Sequence, residues 1–142
     1  MVTVSLTESI KAPLDKVFAF ISDFEKAPQY SRYWKSVKVV KRESDSVTYE
    51  TVAYAERRRM ASITRIRPHP GQGLETETVD GDGKGTRMSF KLTPLPEGTQ
   101  ITLQGEIVLP GFAKLLGGVV KGRIESGMRE ELARIKEGLE KP

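Results

Sequence analysis

The apolar positions of this chain change period twice, and the order of those changes carries its fold. Val2, Val4, Leu6 and Glu8 alternate with Thr3, Ser5 and Thr7, which predicts a strand to about Ile10. Ala12-Pro13 then opens a helix, with Pro13 at the first helical position, where its missing N–H breaks no hydrogen bond. Leu14, Val17, Phe18 and Ile21 recur at i, i+3, i+4 and i+7, one apolar stripe of an amphipathic helix. Asp23, Phe24 and Pro28 end it, and a second short helix or turn carries Tyr30 and Tyr33 toward Trp34.

From Lys35 the period becomes two. Val37 and Val39 face one way against Ser36, Lys38 and Val40, and after the turn at Ser44-Asp45-Ser46 the next strand sets Tyr49, Thr51 and Ala53 against Thr48, Glu50 and Val52. A long strand runs from Arg58 to Ile66, and Pro68-His69-Pro70-Gly71-Gln72-Gly73 reads as a turn. Leu74 to Val79 is a shorter strand closed by a turn at Asp80-Gly81-Asp82-Gly83. Met88, Phe90 and Leu92 alternate on the next strand, and Ile101, Leu103, Gly105 and Ile107 on the last. About seven strands with short connections predict antiparallel pairing of neighbours.

The C-terminal region returns to helical spacing, in two phases. Phe112, Leu115, Leu116 and Val119 share one side, whereas Val120, Ile124, Met128, Leu132, Ile135 and Leu139 form a rotated stripe. Gly117-Gly118 lies at the phase change, and two interior glycines at ~1 kcal/mol each mark a break. The reading is a short segment over 112–116 and a main helix over roughly 119–139. Gly127 borders the apolar stripe, a position that allows a close approach, while Gly122 lies opposite. Strands followed by a terminal helix predict an antiparallel sheet packed on that helix.

Composition narrows the class without naming a function. The 142 residues suit one globular domain, with no apolar run near the ~20 residues of a membrane span. The strand-like N-terminus is unlike a signal or transit peptide, so a cytoplasmic protein is expected. The absence of cysteine excludes disulfides, thiolate metal sites and cysteine nucleophiles. The formal charge of +4 is too small to argue for DNA. Arg57, Arg58, Arg59, Arg65 and Arg67 nevertheless cluster, with Glu75, Glu77, Asp80 and Asp82 soon after. The pattern fits cross-strand neutralisation, as between Glu75–Glu77 and Arg65–Arg67, better than an anion or lipid-headgroup patch.

The order strand, two helices, six strands and long helix resembles the START-like (SRPBCC) superfamily and its helix-grip fold. Local residues carry the same resemblance: Ile10-Lys11-Ala12-Pro13-Leu14-Asp15-Lys16-Val17-Phe18, Ile21-Ser22-Asp23-Phe24-Glu25 and Tyr30-Ser31-Arg32-Tyr33-Trp34-Lys35-Ser36-Val37. Gly98-Thr99 and Gly117-Gly118 add to it, and the nearest branch is the polyketide cyclase/dehydrase and coenzyme-Q-binding one. The resemblance spans essentially the whole chain. It implies an α+β domain over 1–142, with a curved antiparallel sheet of about seven strands wrapped around a long C-terminal helix and two short helices after the first strand. It also implies an apolar cavity between sheet and helix, entered near the start of that helix. Mapped on the alternation, the residues facing it are Val39, Tyr49, Thr51, Met60, Thr64, Met88, Phe90 and Leu103, with Val120, Ile124 and Met128 from the helix. Phe112 and Leu116 fall near the entrance.

Few residues offer catalysis. His69, the only histidine, lies between two prolines, which excludes a histidine metal cluster and a hydrolase triad. Asp80-Gly81-Asp82-Gly83-Lys84-Gly85 begins like a calcium loop, but its twelfth position is Lys91 rather than glutamate. No metal and no cofactor are expected. Of the strand glutamates Glu8, Glu50, Glu75, Glu77 and Glu106, most alternate with apolar residues and are read as facing water. Tyr49 is the one candidate proton carrier, and Trp34 reads as a packing residue at the helix–strand corner. Met60, Met88 and Met128 would give the lining an adaptable surface. Three readings follow. The first is a carrier of a hydrophobic or amphipathic small molecule (lipid, isoprenoid quinone or polyketide-like), gated by 112–118. The others are a polyketide cyclase or dehydratase, and a module docking on ribosome or anionic membrane. The sequence leaves the oligomeric state open.

Overall fold

Seven strands and three α-helices follow the predicted order in the computed structural model, which describes residues 2–55, 57–109 and 118–141. Strand β1 (Val2–Ile10) leads into α1 (Leu14–Ser22), a 3-10 turn (Phe24–Lys26) and α2 (Ala27–Tyr30). Strands β2 (Trp34–Arg42), β3 (Val47–Ala55), β4 (Arg58–His69), β5 (Gly73–Gly81), β6 (Arg87–Leu95) and β7 (Gly98–Ile107) follow, and α3 (Gly118–Glu140) ends the chain. All strands join one curved antiparallel sheet in the order β1-β7-β6-β5-β4-β3-β2. The segment 112–116, with Phe112 and Leu116, lies outside the described residues.

Local chemistry explains the first corner. Pro13 is the N-cap of α1 rather than its first helical residue, extended at φ −64° and ψ 151°. Its carbonyl accepts the Lys16 and Val17 amides at 3.0 and 3.1 Å. Gly98 is required opposite this corner, because a Cβ there would collide with the Ile10 carbonyl. Thr99, fully buried, donates its hydroxyl to the Ala12 carbonyl at 2.8 Å.

Two further features depart from the sequence expectation. Pro68 and His69 belong to β4, leaving only Pro70-Gly71-Gln72 as the turn. The pairing of β3 with β4 ends at Ile66, so one side of β4 is unpaired at Pro68, where a strand tolerates a proline. Gly127 serves no close approach, since a Cβ there would meet nothing within 4 Å, and Gly122 is equally open.

The main core lies at one end of the sheet. Leu132, Ile135 and Leu139 of α3 pack with Leu6, Ile10, Val17, Ile21, Leu92 and Ile101. The backbone of α3, about 35 Å long at 1.5 Å per residue, runs closest to β1 and α1 and makes no comparable approach to β3, β4, β5 or β6. Glu8, half-exposed, lies on the same side of β1 as Val4 and Leu6. Its register partner is Ile101, which puts it on the helix-facing side, where Lys136 Nζ reaches it at 3.3 Å.

A polar clamp holds α3 to the α2–β2 corner. Ser31 Oγ donates to Glu131 Oε1 at 2.8 Å and accepts the amides of Tyr33 and Trp34, each at 2.9 Å. Arg134 reaches the Tyr30 carbonyl at 3.3 Å and Glu130 at 2.7 Å. Burial pushes the Tyr30 phenol up to about 12, with Glu131 and Asp23 adding to the rise. Burial also raises the Glu131 carboxyl above its ordinary 4.5, although the Ser31 bond, the Arg32 amide and the Arg134 charge pull the other way. Among the described residues no helix is long and apolar enough to cross a membrane.

A carboxyl with a raised folded pKa penalises the folded state when charged, and the penalty disappears as pH falls through that raised value. Glu131→Gln should therefore be more stable than the parent at neutral pH, with the advantage shrinking as pH drops toward 4.5. Paired urea midpoints across that range measure it. Gly122→Ala, exposed and sterically free on α3, should add about 1 kcal/mol and raise the thermal midpoint.

Candidate ligand-binding site

Strand register decides which side chains share the concave, helix-facing side. Tyr49 pairs with Thr64, Thr51 with Ser62 and Ala53 with Met60 across β3–β4. Thr64 pairs with Thr78 and Ile66 with Thr76 across β4–β5, and Thr76 with Met88 and Leu74 with Phe90 across β5–β6. Phe90 then pairs with Leu103 and Met88 with Gly105. Val39 is opposite Tyr49 from β2. All eight strand positions mapped from the sequence thus lie on one face, with Val120, Ile124 and Met128 on α3 above it.

Burial divides this face. Tyr49 and Leu103 belong to the core, and Val39, Met88, Phe90 and Met128 pack at its margin. Met60 and Ile124 are half-buried yet outside that core, and Val120 is buried apart from it. The C-terminal half of α3 therefore joins the main core and its N-terminal half does not. Gly105 contributes a smooth floor, since a Cβ there would strike the Arg87 carbonyl.

Ser62, Thr76 and Thr78 share the face and were missed, although period-two counting from Thr64 and Leu74 reaches them. With Thr51 and Thr64 they make a hydroxyl-bearing wall across β3, β4 and β5. The Thr51 hydroxyl is satisfied, 3.2 Å from the Ser62 carbonyl and 2.9 Å from Ser62 Oγ. Thr64 differs: it is only 5% exposed, and its hydroxyl has no hydrogen-bond partner.

Tyr49 is held otherwise. Its ring meets Phe24 edge-on at 5.2 Å, and Phe24 meets Trp34 at 5.0 Å, so these aromatics join the 3-10 turn to the sheet. Burial raises the phenol's pKa. The Arg42 charge opposes that rise, and Glu25 and Asp23 reinforce it, which sets the phenol in the field of the 3-10 turn and the end of β2.

The clustered arginines divide into two groups. Arg65 reaches Glu77 at 3.7 Å, and Glu77 also takes Arg87 at 3.0 Å, while Glu75 pairs with His69 at 3.3 Å. Arg65, Glu75, Glu77 and Arg87 line a groove of about 340 Å³ in which arginine and glutamate oppose one another. Arg57, Arg58 and Arg59 instead occupy the β3–β4 hairpin, with Arg57 in the left-handed region at φ 68°.

The family described as polyketide cyclase/dehydrase and lipid transport matches residues 1–140. No curated protein sequence matches. Among solved structures, TTHA0849 from Thermus thermophilus superposes with a TM-score of 0.83 at 22% identity, over 95% of this chain and 94% of that one. A START superfamily protein from Mycobacterium smegmatis gives 0.77 at 20% identity, over 97% of both chains. The di-domain aromatase/cyclase StfQ of steffimycin biosynthesis gives 0.79 at 14% identity, over 98% of this chain and 51% of its own length. At these identities the likeness is one of fold.

Because the Phe24 contact needs the Tyr49 ring and not its hydroxyl, Tyr49→Phe should hold the unfolding free energy within about 1 kcal/mol of the parent. Chemical denaturation checks this.

Proposed function

We propose that this chain, which belongs to the polyketide cyclase/dehydrase and lipid transport family, binds a hydrophobic or amphipathic small molecule beneath the N-terminal half of α3. The observation that carries the reading is the half-packed concave face. Met60 and Ile124 are half-buried without joining the core, beside a wall of hydroxyls. An apolar surface with a few convergent polar groups is the usual composition of a small-molecule site. Covering about 300 Å² of ligand apolar surface at ~25 cal/mol/Å² stabilises a complex by several kcal/mol before ordering costs.

The chemistry of the wall favours holding a ligand over transforming it. General acid–base catalysis needs a proton carrier whose pKa is matched to the working pH. The described residues of this face between β3 and β7 carry thioethers, aliphatic groups, one phenyl ring, the Tyr49 phenol and alcohols. Alcohols do not ionise in that range, and burial moves the phenol further from it. A lipid, an isoprenoid quinone or a polyketide-like molecule fits such a lining. The cyclase reading draws on the family description and would need a proton carrier brought by the substrate or by residues beyond those described.

The direct test is native mass spectrometry of purified protein, followed by organic extraction and identification of what is released. Site-specific evidence comes from 1-anilinonaphthalene-8-sulfonate fluorescence. Ile124→Trp should weaken binding of that probe about tenfold with unchanged circular dichroism, whereas unaltered affinity would remove the site from beneath α3.

A further inference from the structure

Thr64 raises a question that packing does not answer. A buried hydroxyl without a partner is costly, and valine would fill nearly the same volume without that cost. On the same strand pair the Thr51 hydroxyl is satisfied twice. Ser62 beside it is likewise engaged. Thr64 alone of the three presents a free hydroxyl, and does so on the concave face.

The backbone departs from regularity at the same place. Between Ile63 and Thr64 the β4–β5 register slips: Ile63 opposes Asp80 while Thr64 opposes Thr78, leaving Val79 as an extra residue. A bulge of this kind re-aims side chains and recurs beside functional sites. Toward the core end, Ile66 and Leu74 close the face with buried apolar side chains. Thr78 stands level with Thr64 and Thr76 with Ile66, while the half-buried Ser62 and Met60 continue the face along β4 in the other direction.

We propose that Thr64 hydrogen-bonds an oxygen of the ligand, so that the site selects apolar molecules bearing a hydroxyl or carbonyl within their skeleton over plain hydrocarbons of the same shape. The proposal rests on the binding site described under Proposed function and specifies its polar contact. The hydroxyl both donates and accepts, so alcohol and ketone oxygens are equally served. The apolar remainder of the ligand lies toward Met60, Met88 and Ile124.

A matched pair of probes separates this contact from general apolar affinity: 2-naphthol and 2-methylnaphthalene, each titrated by displacement of 1-anilinonaphthalene-8-sulfonate. The parent protein should prefer the naphthol roughly tenfold. Thr64→Ser should keep the preference. Thr64→Val should abolish it, leave methylnaphthalene affinity unchanged and raise the ligand-free Tm by about 3 °C. Equal binding of the two probes by the parent, a preference that survives in Thr64→Val, or a lowered Tm in that variant would each overturn the contact while leaving the apolar site in place. If neither probe binds, the site itself fails and the contact with it. Should Thr64→Val not fold, the preference of the parent and of Thr64→Ser decides.

Discussion

The asymmetric seating of α3 is the constraint on which the rest of this structure depends. Its C-terminal half supplies Leu132, Ile135 and Leu139 to the core, the Ser31–Glu131 clamp fixes its middle, and Lys136 ties it to Glu8 on β1. Its N-terminal half has no equivalent seat among the described residues. A helix secured along one half and drawn to the β1 side leaves β3, β4 and β5 uncovered by its backbone.

The densest packing and the irregular backbone therefore lie in different parts of the same sheet. The core end carries dense packing and satisfied polar groups, with the buried Thr99 hydroxyl bonded to Ala12 and Gly98 seated against Ile10. The open end carries a bulge and an unpartnered hydroxyl, features that weaken a fold by a few kcal/mol at most and persist where they do something else. The ladder bonds of seven strands hold the backbone through both ends, so a local deficit at Thr64 is tolerated.

The order of elements was legible because period two and period 3.6 leave distinct traces, and the stripe from Val120 to Leu139 marked α3 to within a residue or two at each end. The concave face was legible for the same reason, since alternation assigns faces wherever register holds. Alternation alone could not show which inner residues stop packing, because Met60 and Ile66 have the same pattern and different neighbours. The bulge at Val79 follows from pairing between two strands and has no signal within either one. Ser31 was unreadable as a clamp, since its partner Glu131 is a hundred residues away and looks like a solvated helix position. The apolar alternation of β1 gives the face of Glu8, and its partner Lys136, from the far end of the chain, has no signal in that strand.

This division of labour also explains why the fold announces itself more clearly than its contents. Residues that specify the architecture are tied to neighbours by geometry: Gly73, Gly98 and Gly105 each occupy a spot where any Cβ would collide with backbone. Residues at the open end have no comparable tether, so Met60, Thr76, Met88 and Ile124 can change without disturbing the sheet. On the proposed reading, ligand chemistry would be set by those loosely constrained positions and by the few polar atoms that the fold leaves unsatisfied. Of these, the Thr64 hydroxyl is the most informative, because packing and backbone geometry supply no reason for it to be there.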